Sequence, residues 1–398
     1  MQTYTVELQN KINTFSTREA DYNQELIDAM QRFRSCDQAL DAFIKLHGFS
    51  GNIHSIQEKV SFIKNKFKEK GEDSPRFVEE WYTEHKPFLK KTGMQICFVF
   101  DLSEEETRDF FRRICFDRAF DLHTVEDVVY LYGIRNHLKY RECADIIGQI
   151  PKLDKQRIVD MDTAIYTEEI EEEINEISSI EELKEYISYH KDIFSYNNVT
   201  AYSNIQTLWN QIAGENGLVY QEKYESYDRE EIGDVPVIGR KVRKRDDHST
   251  LSILFQILGL KGELSAKLYS ERGIKRILGD NSLVHKLVAE DFPDRNSIEK
   301  ILRGEHVSYG KIRKILVLLS FYVFWAGSEK DRGGDKKNRC KNRLDMILIE
   351  SGYEPLYLGN PYDFMFLCSM EEEEDYMDPL ENIRGYMREL NDTIILHI

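Results

Sequence analysis

At 398 residues the chain exceeds one ordinary domain of roughly 100–200 residues, and its 41% hydrophobic and 12% aromatic content supplies apolar surface for more than one core, which excludes wholesale disorder. Only 8 Pro and 22 Gly leave few positions for the dense turns of an all-β chain, so the expected class is all-α. A formal charge of −17 repels phosphate over most of the surface and confines any nucleic-acid contact to a local patch.

The first residues, MQTYTVELQNKINTF, carry neither the basic nor the apolar region of a secretory signal. The six cysteines (Cys36, Cys97, Cys115, Cys143, Cys340, Cys368) are widely spaced, without CxxC or Cys/His ligand spacing. Reduced core thiols in a cytoplasmic protein are the expectation, with no metal and no cofactor. Residues 18–70 place Leu26, Met30 and Phe33, then Ile56, Val60, Ile63 and Phe67, at helical spacing. Several helices follow one another within a first lobe over 1–150. From Asp154 to Asp192 there are 13 Asp/Glu against 4 Lys/Arg, with Ile170, Ile174, Ile177, Ile180, Leu183 and Ile187 three or four apart. These spacings predict an acidic helical connector over 151–224. Residues 225–250 combine Gly233, Pro236 and Gly239 with the basic run Arg240, Lys241, Arg243, Lys244 and Arg245, and read as a linker or loop. A second lobe fills 251–398. Its longest apolar run, Ile315–Ala326, has twelve residues, whereas a bilayer span needs about 20, so it is expected to be a buried helix. The stretch 327–343, GSEKDRGGDKKNRCKNR, reads as a second basic loop.

Two segments align without a gap, RRICFDRAFDLHTVEDVVYLY (112–132) and LIESGYEPLYLGNPYDFMFLC (348–368). Phe120 meets Leu356, Leu122 meets Leu358, Asp127 meets Asp363, and the apolar Val128–Leu131 meets Phe364–Leu367. The alignment predicts two related helical lobes. Chance similarity between two amphipathic helix pairs is the competing explanation.

Ahead of the second copy stands SLVHKLVAEDFPDRNSIEKILRGEHVSYGKIRKILVLLSFY (282–322). Val284, Leu287 and Val288 suit a first helix, Phe292-Pro293-Asp294 a turn, and Ser297 to Gly304 a second helix held inward by Ile298 and Ile301. This order resembles the Cro/repressor-type helix-turn-helix family, of the kind found in mostly uncharacterised Firmicutes regulators. It departs from the family at the turn, where Phe292-Pro293 replaces the usual Gly. The resemblance implies binding of double-stranded DNA, with base edges met by Arg295, Asn296, Ser297 and Lys300 and phosphates by Arg303, Lys311, Arg313 and Lys314. A dimer follows from the few base pairs one helix reads. Residues 295–345 hold 13 Lys/Arg and 6 Asp/Glu, a local excess of basic charge. Residues 346–398 hold 12 Asp/Glu against Arg384 and Arg388, so this tail is a candidate autoinhibitory cover for the basic face. A fainter echo precedes the first copy, with Phe77, Val78 and Trp81 as an inward face and Glu79, Glu80 and Glu84 outward. Outward carboxylates oppose phosphate and suit a structural or partner-binding role.

Walker, GxSxG, HExxH and dinucleotide motifs are absent. Arg118 and His123 resemble the Arg/His spacing of HEPN-type ribonucleases, although Arg243 and His248 share that spacing. Three functions are weighed: a DNA-binding regulator, a helical protein-interaction component of a phage-defence or mobile-element system that includes nucleic-acid mimicry, and a ribonuclease.

Overall fold

The structure is a computed structural model that describes residues 26, 36–83, 89–115, 117–151, 167–190, 194, 198–221, 249–259, 292–327, 335–370 and 378–395. Among them every regular element is a helix, as the composition predicts. The chain divides into two compact units, Arg34–Val199 and Met1–Phe33 with Thr200–Ile398.

The N-terminal unit contains α1 (Cys36–Leu46), α2 (Ile56–Glu69), α3 (Glu80–Thr83), α4 (Lys90–Val99), α5 (Glu104–Phe110), α6 (Val125–Arg135), α7 (Tyr140–Gln149), α8 (Thr167–Glu176) and α9 (Ile180–Tyr189). The Ser55 hydroxyl caps α2 by accepting from the Glu58 amide, and Val60, Ile63 and Phe67 form its buried stripe. A reciprocal Ser103/Glu106 capping box starts α5, which runs on through one π turn, Phe111–Cys115. The first unit ends later than the sequence suggests. Helices α8 and α9, read above as a connector, bury Ile170, Ile174, Leu183 and Ile187 in this unit's core. Glu171 of α8 accepts from Arg108 at 2.8 Å and from Arg135 at 3.2 Å, and Glu104 accepts from both arginines. The acidic segment is therefore held by apolar burial and by two arginines.

The C-terminal unit contains α10 (Val199–Ala213), α11 (Thr250–Ile257), α12 (Arg295–Leu302), α13 (Tyr309–Gly327), α14 (Lys336–Glu350), α15 (Pro361–Ser369) and α16 (Pro379–Ile395). Helix α13 carries the apolar run and is buried from Ile315 to Val323. No helix among the described residues is long and apolar enough to cross a membrane. The basic stretch read as a loop up to 343 is helical from Lys336 onward. Asp335, with left-handed backbone (φ 65°), caps α14 by accepting from the Asn338 amide, and Cys340, Leu344 and Leu348 anchor that helix to the core at four-residue spacing. The linker residues 225–248 and the first helix expected over 284–288 lie outside the described residues.

The aligned segments adopt the same local architecture. Thr124 and Asn360, matched in the alignment, cap α6 and α15. Asp127 then accepts from the Asp121 amide at 2.7 Å, and Asp363 from the Tyr357 amide at 2.9 Å, again in the alignment's register. Each buried carboxylate also meets a cation from the start of the preceding apolar helix, Lys90 of α4 for Asp127 and Arg313 of α13 for Asp363. Cap, loop amide and cation thus recur together in the two segments.

Candidate nucleic-acid interface

Helix α12 begins at Asp294, whose carboxylate accepts from the Ser297 amide at 2.8 Å and from the Ser297 hydroxyl at 3.0 Å. The same carboxylate takes the Lys311 ammonium at 2.6 Å, tying the start of α12 to α13. Burial pushes the Asp294 carboxyl upward, but the Lys311 and Ser297 bonds outweigh it and hold the group below its ordinary value of 3.8. Ile298 and Ile301 are fully buried, and the Val307 amide donates to the Tyr202 hydroxyl at 3.1 Å, seating the turn after α12 on α10. The helix is thus fixed at both ends and along its apolar side.

Its other side is the candidate interface. Arg295, Asn296 and Arg303 are exposed, and Lys300 is half-buried. Arg295 pairs with Glu299 at 2.6 Å and Arg303 with Glu305 at 2.6 Å, both at the surface. Hydrogen bonds from these arginines hold both carboxyls below the ordinary range. Asn296 and Lys300 form no ion pair or side-chain hydrogen bond among the described residues.

The structure corrects three of the sequence assignments. Ser297 is buried with its hydroxyl spent on Asp294, so it does not face a base edge. Lys311 is largely covered and committed to Asp294. Arg313 is largely covered, donating to both Asp363 oxygens at 2.6 and 2.7 Å and to the Glu354 and Pro355 carbonyls at 3.3 Å, so it is a strut within the unit and not a phosphate contact. Lys314, half-buried, lies 5.4 Å from the Tyr362 ring centroid. The tail's acidic run, 371–377, lies outside the described residues, but its helix is corrected: Leu380, Ile383 and Tyr386 of α16 are buried in the core, and Arg384 donates to the Ile257 and Gln256 carbonyls. That helix supports the fold and is no detachable cover.

In the N-terminal unit, Val78 and Trp81 are buried as expected, whereas Phe77 is 55% exposed and α3 is a single turn. Residues 84–88, Glu84 among them, lie outside the described residues. Arg118 and His123 do converge, but on Asp121: the Arg118 guanidinium lies 3.9 Å from its carboxylate, which also accepts from the His123 amide at 3.2 Å. Burial raises the Asp121 carboxyl, yet Arg118, His123 and Lys90 together bring it below the ordinary range. With its side chain mostly covered, Arg118 is positioned to neutralise this carboxylate instead of a substrate phosphate.

Sequence reasoning missed the pairing partners. Glu299 four residues after Arg295 was a legible signal for an intrahelical pair. Asp363 as the partner of Arg313, 50 residues away, had no local signal; the alignment matched Asp363 to Asp127 but covers neither cation. No family model matches the chain, and neither a curated protein nor a solved structure is significantly similar to it.

Proposed function

We propose that the chain is a DNA-binding regulatory protein that presents α12 to duplex DNA. The observation that carries this reading is the two-sidedness of α12, with Ile298 and Ile301 at full burial and Arg295, Asn296, Lys300 and Arg303 on the opposite side. Asn296 and Lys300 are the base-edge contacts, and an Asn amide suits adenine as a Lys ammonium suits guanine. Arg295 and Arg303 reach phosphate by leaving Glu299 and Glu305, since such surface pairs are worth only about 0.2–1 kcal/mol. Lys314 adds a phosphate contact at the start of α13.

In this arrangement Glu299 and Glu305 compete with phosphate. The test is affinity for random-sequence and enriched duplexes at two salt concentrations. Glu299→Gln with Glu305→Gln is expected to tighten binding by about three- to tenfold, by removing two carboxylates from the path of phosphate. Lys300→Glu with Arg303→Glu is expected to abolish it. Absence of DNA binding by wild type and the Gln variant alike rejects the reading.

A second reading, a protein-interaction component, is supported by the N-terminal unit, where Leu46, Phe77, Leu89 and Tyr189 are large apolar side chains left exposed. Glu172, Glu173 and Glu176 of α8 and Glu181, Glu182 and Glu185 of α9 are exposed in the same unit. Capture of a protein partner by Arg34–Val199 variants intact in fold, with loss on Tyr189→Ala, distinguishes the two.

A further inference from the structure

Helix α14 is amphipathic in an unusual sense. Cys340, Leu344 and Leu348 turn toward the core. The opposite stripe, at alternating spacings of three and four, is Arg339, Asn342, Met346 and Ile349, all exposed, with Met346 at 61% and Ile349 at 56%. Two large apolar side chains one turn apart on a well-packed helix are a patch that water solvates poorly. Arg343 and Glu350, seven residues apart on one flank, are exposed, and neither has an ion-pair partner among the described residues. On the other flank Asp345 is already satisfied by Lys341 at 2.6 Å and the Leu356 amide at 2.8 Å.

We propose that this stripe is a self-association surface, occupied by α14 of a second copy of the chain running antiparallel. The charge order along the helix selects both the occupant and the direction. Positions 339, 342, 346 and 349 follow the a/d spacing of a heptad, which puts Arg343 and Glu350 both at e positions. In an antiparallel pair with Met346 packed against Ile349 of the second copy, e faces e. Arg343 then meets Glu350 of the second copy, and the two-fold axis repeats the contact. A parallel pair would instead set Arg339 against its own copy. One apolar pair and its symmetry mate make a small interface, at the low end for specific association, so the dimer is weak and concentration-dependent.

This inference stands apart from the DNA reading, and its test contains no DNA. Sedimentation velocity of the full chain over a wide concentration range is expected to show reversible monomer–dimer exchange. Met346→Asp is expected to leave a monomer with an unchanged circular dichroism spectrum, because the side chain faces solvent. Arg343→Glu alone and Glu350→Arg alone are each expected to raise the dimer dissociation constant by about tenfold, two like-charge contacts replacing two ion pairs. The double reversal Arg343→Glu with Glu350→Arg is expected to restore the wild-type constant. A wild type that stays monomeric throughout, dimers indifferent to Met346→Asp, or a double reversal no tighter than the singles each overturn the proposal.

Discussion

Arg313 separates a basic residue that reads nucleic acid from one that holds the fold, and replacing it by Leu decides between them. Asp363 is fully buried and receives two Arg313 nitrogens at 2.6 and 2.7 Å, so Arg313→Leu leaves a carboxylate in the core with the Tyr357 amide as its remaining loop donor. Breaking a buried ion pair on one side costs about 3–5 kcal/mol. For a unit of this size each kcal/mol moves the midpoint by about 2–4 °C, so thermal unfolding followed by circular dichroism should fall by roughly 6–20 °C. The matching pair in the first unit is a built-in control. Lys90 is 32% exposed where it meets the buried Asp127, so water reaches the site and Lys90→Leu should cost less than Arg313→Leu. Combining Arg313→Met with Asp363→Asn keeps an acceptor for the Tyr357 amide, removes both charges and should recover most of the loss. A drop below about 1 kcal/mol for Arg313→Leu, or a shallower salt dependence of DNA binding at unchanged stability, would refute the strut and return Arg313 to the phosphate contacts.

Two further predictions concern the same unit. The Asp294 carboxyl lies below 3.8 in the folded chain, so its bonds to Lys311 and Ser297 stabilise above that value and are lost as pH falls through the folded value. The stability gap between wild type and Lys311→Met, read by urea unfolding, should therefore be constant from about pH 5 to 7 and close on acidification below about pH 4; a gap that widens in acid rejects this role for Asp294. Ending the chain at 370 deletes Leu380, Ile383 and Tyr386 from the core together with the Arg384 bonds to α11, and should abolish cooperative unfolding of the C-terminal unit. An autoinhibitory tail demands the contrary, an intact fold with tighter DNA binding.

Helical periodicity made most of this architecture legible. Val60, Ile63 and Phe67 of α2, Ile298 and Ile301 of α12 and the apolar run of α13 all bury the side their spacing selects. Charge was less legible, because a side chain's sign does not reveal what neutralises it. Asp294 precedes Lys311 by 17 residues and Asp363 follows Arg313 by 50, separations at which only tertiary packing creates a pair. Local signals failed where burial overrode them: the Gly-rich, lysine-rich start of 327–343 reads as a loop, yet Cys340, Leu344 and Leu348 fix Lys336–Glu350 as a helix. The acidic stretch was read as a connector for the same reason, since its glutamates outnumber the four isoleucine and leucine side chains that place it in the first core.

The two aspartate anchors indicate how one local design supports different surfaces. Each fixes the amide of a loop and the start of an apolar helix, a task that depends on cap, carboxylate and cation and is indifferent to what the preceding segment displays. That segment is free to diverge. Ahead of α4 the described part carries Glu79 and Glu80, and before α13 it is the eight-residue α12 with a basic side. If an anchor of this kind governs orientation, then exchanging Arg313 for the Lys of the other copy should be tolerated poorly. Arg313 also donates to the Glu354 and Pro355 carbonyls, and a lysine ammonium cannot fork between two carboxylate oxygens and two carbonyls. The Arg313 anchor thus holds two carboxylate oxygens and two loop carbonyls, a set of acceptors that only a guanidinium fork reaches at once.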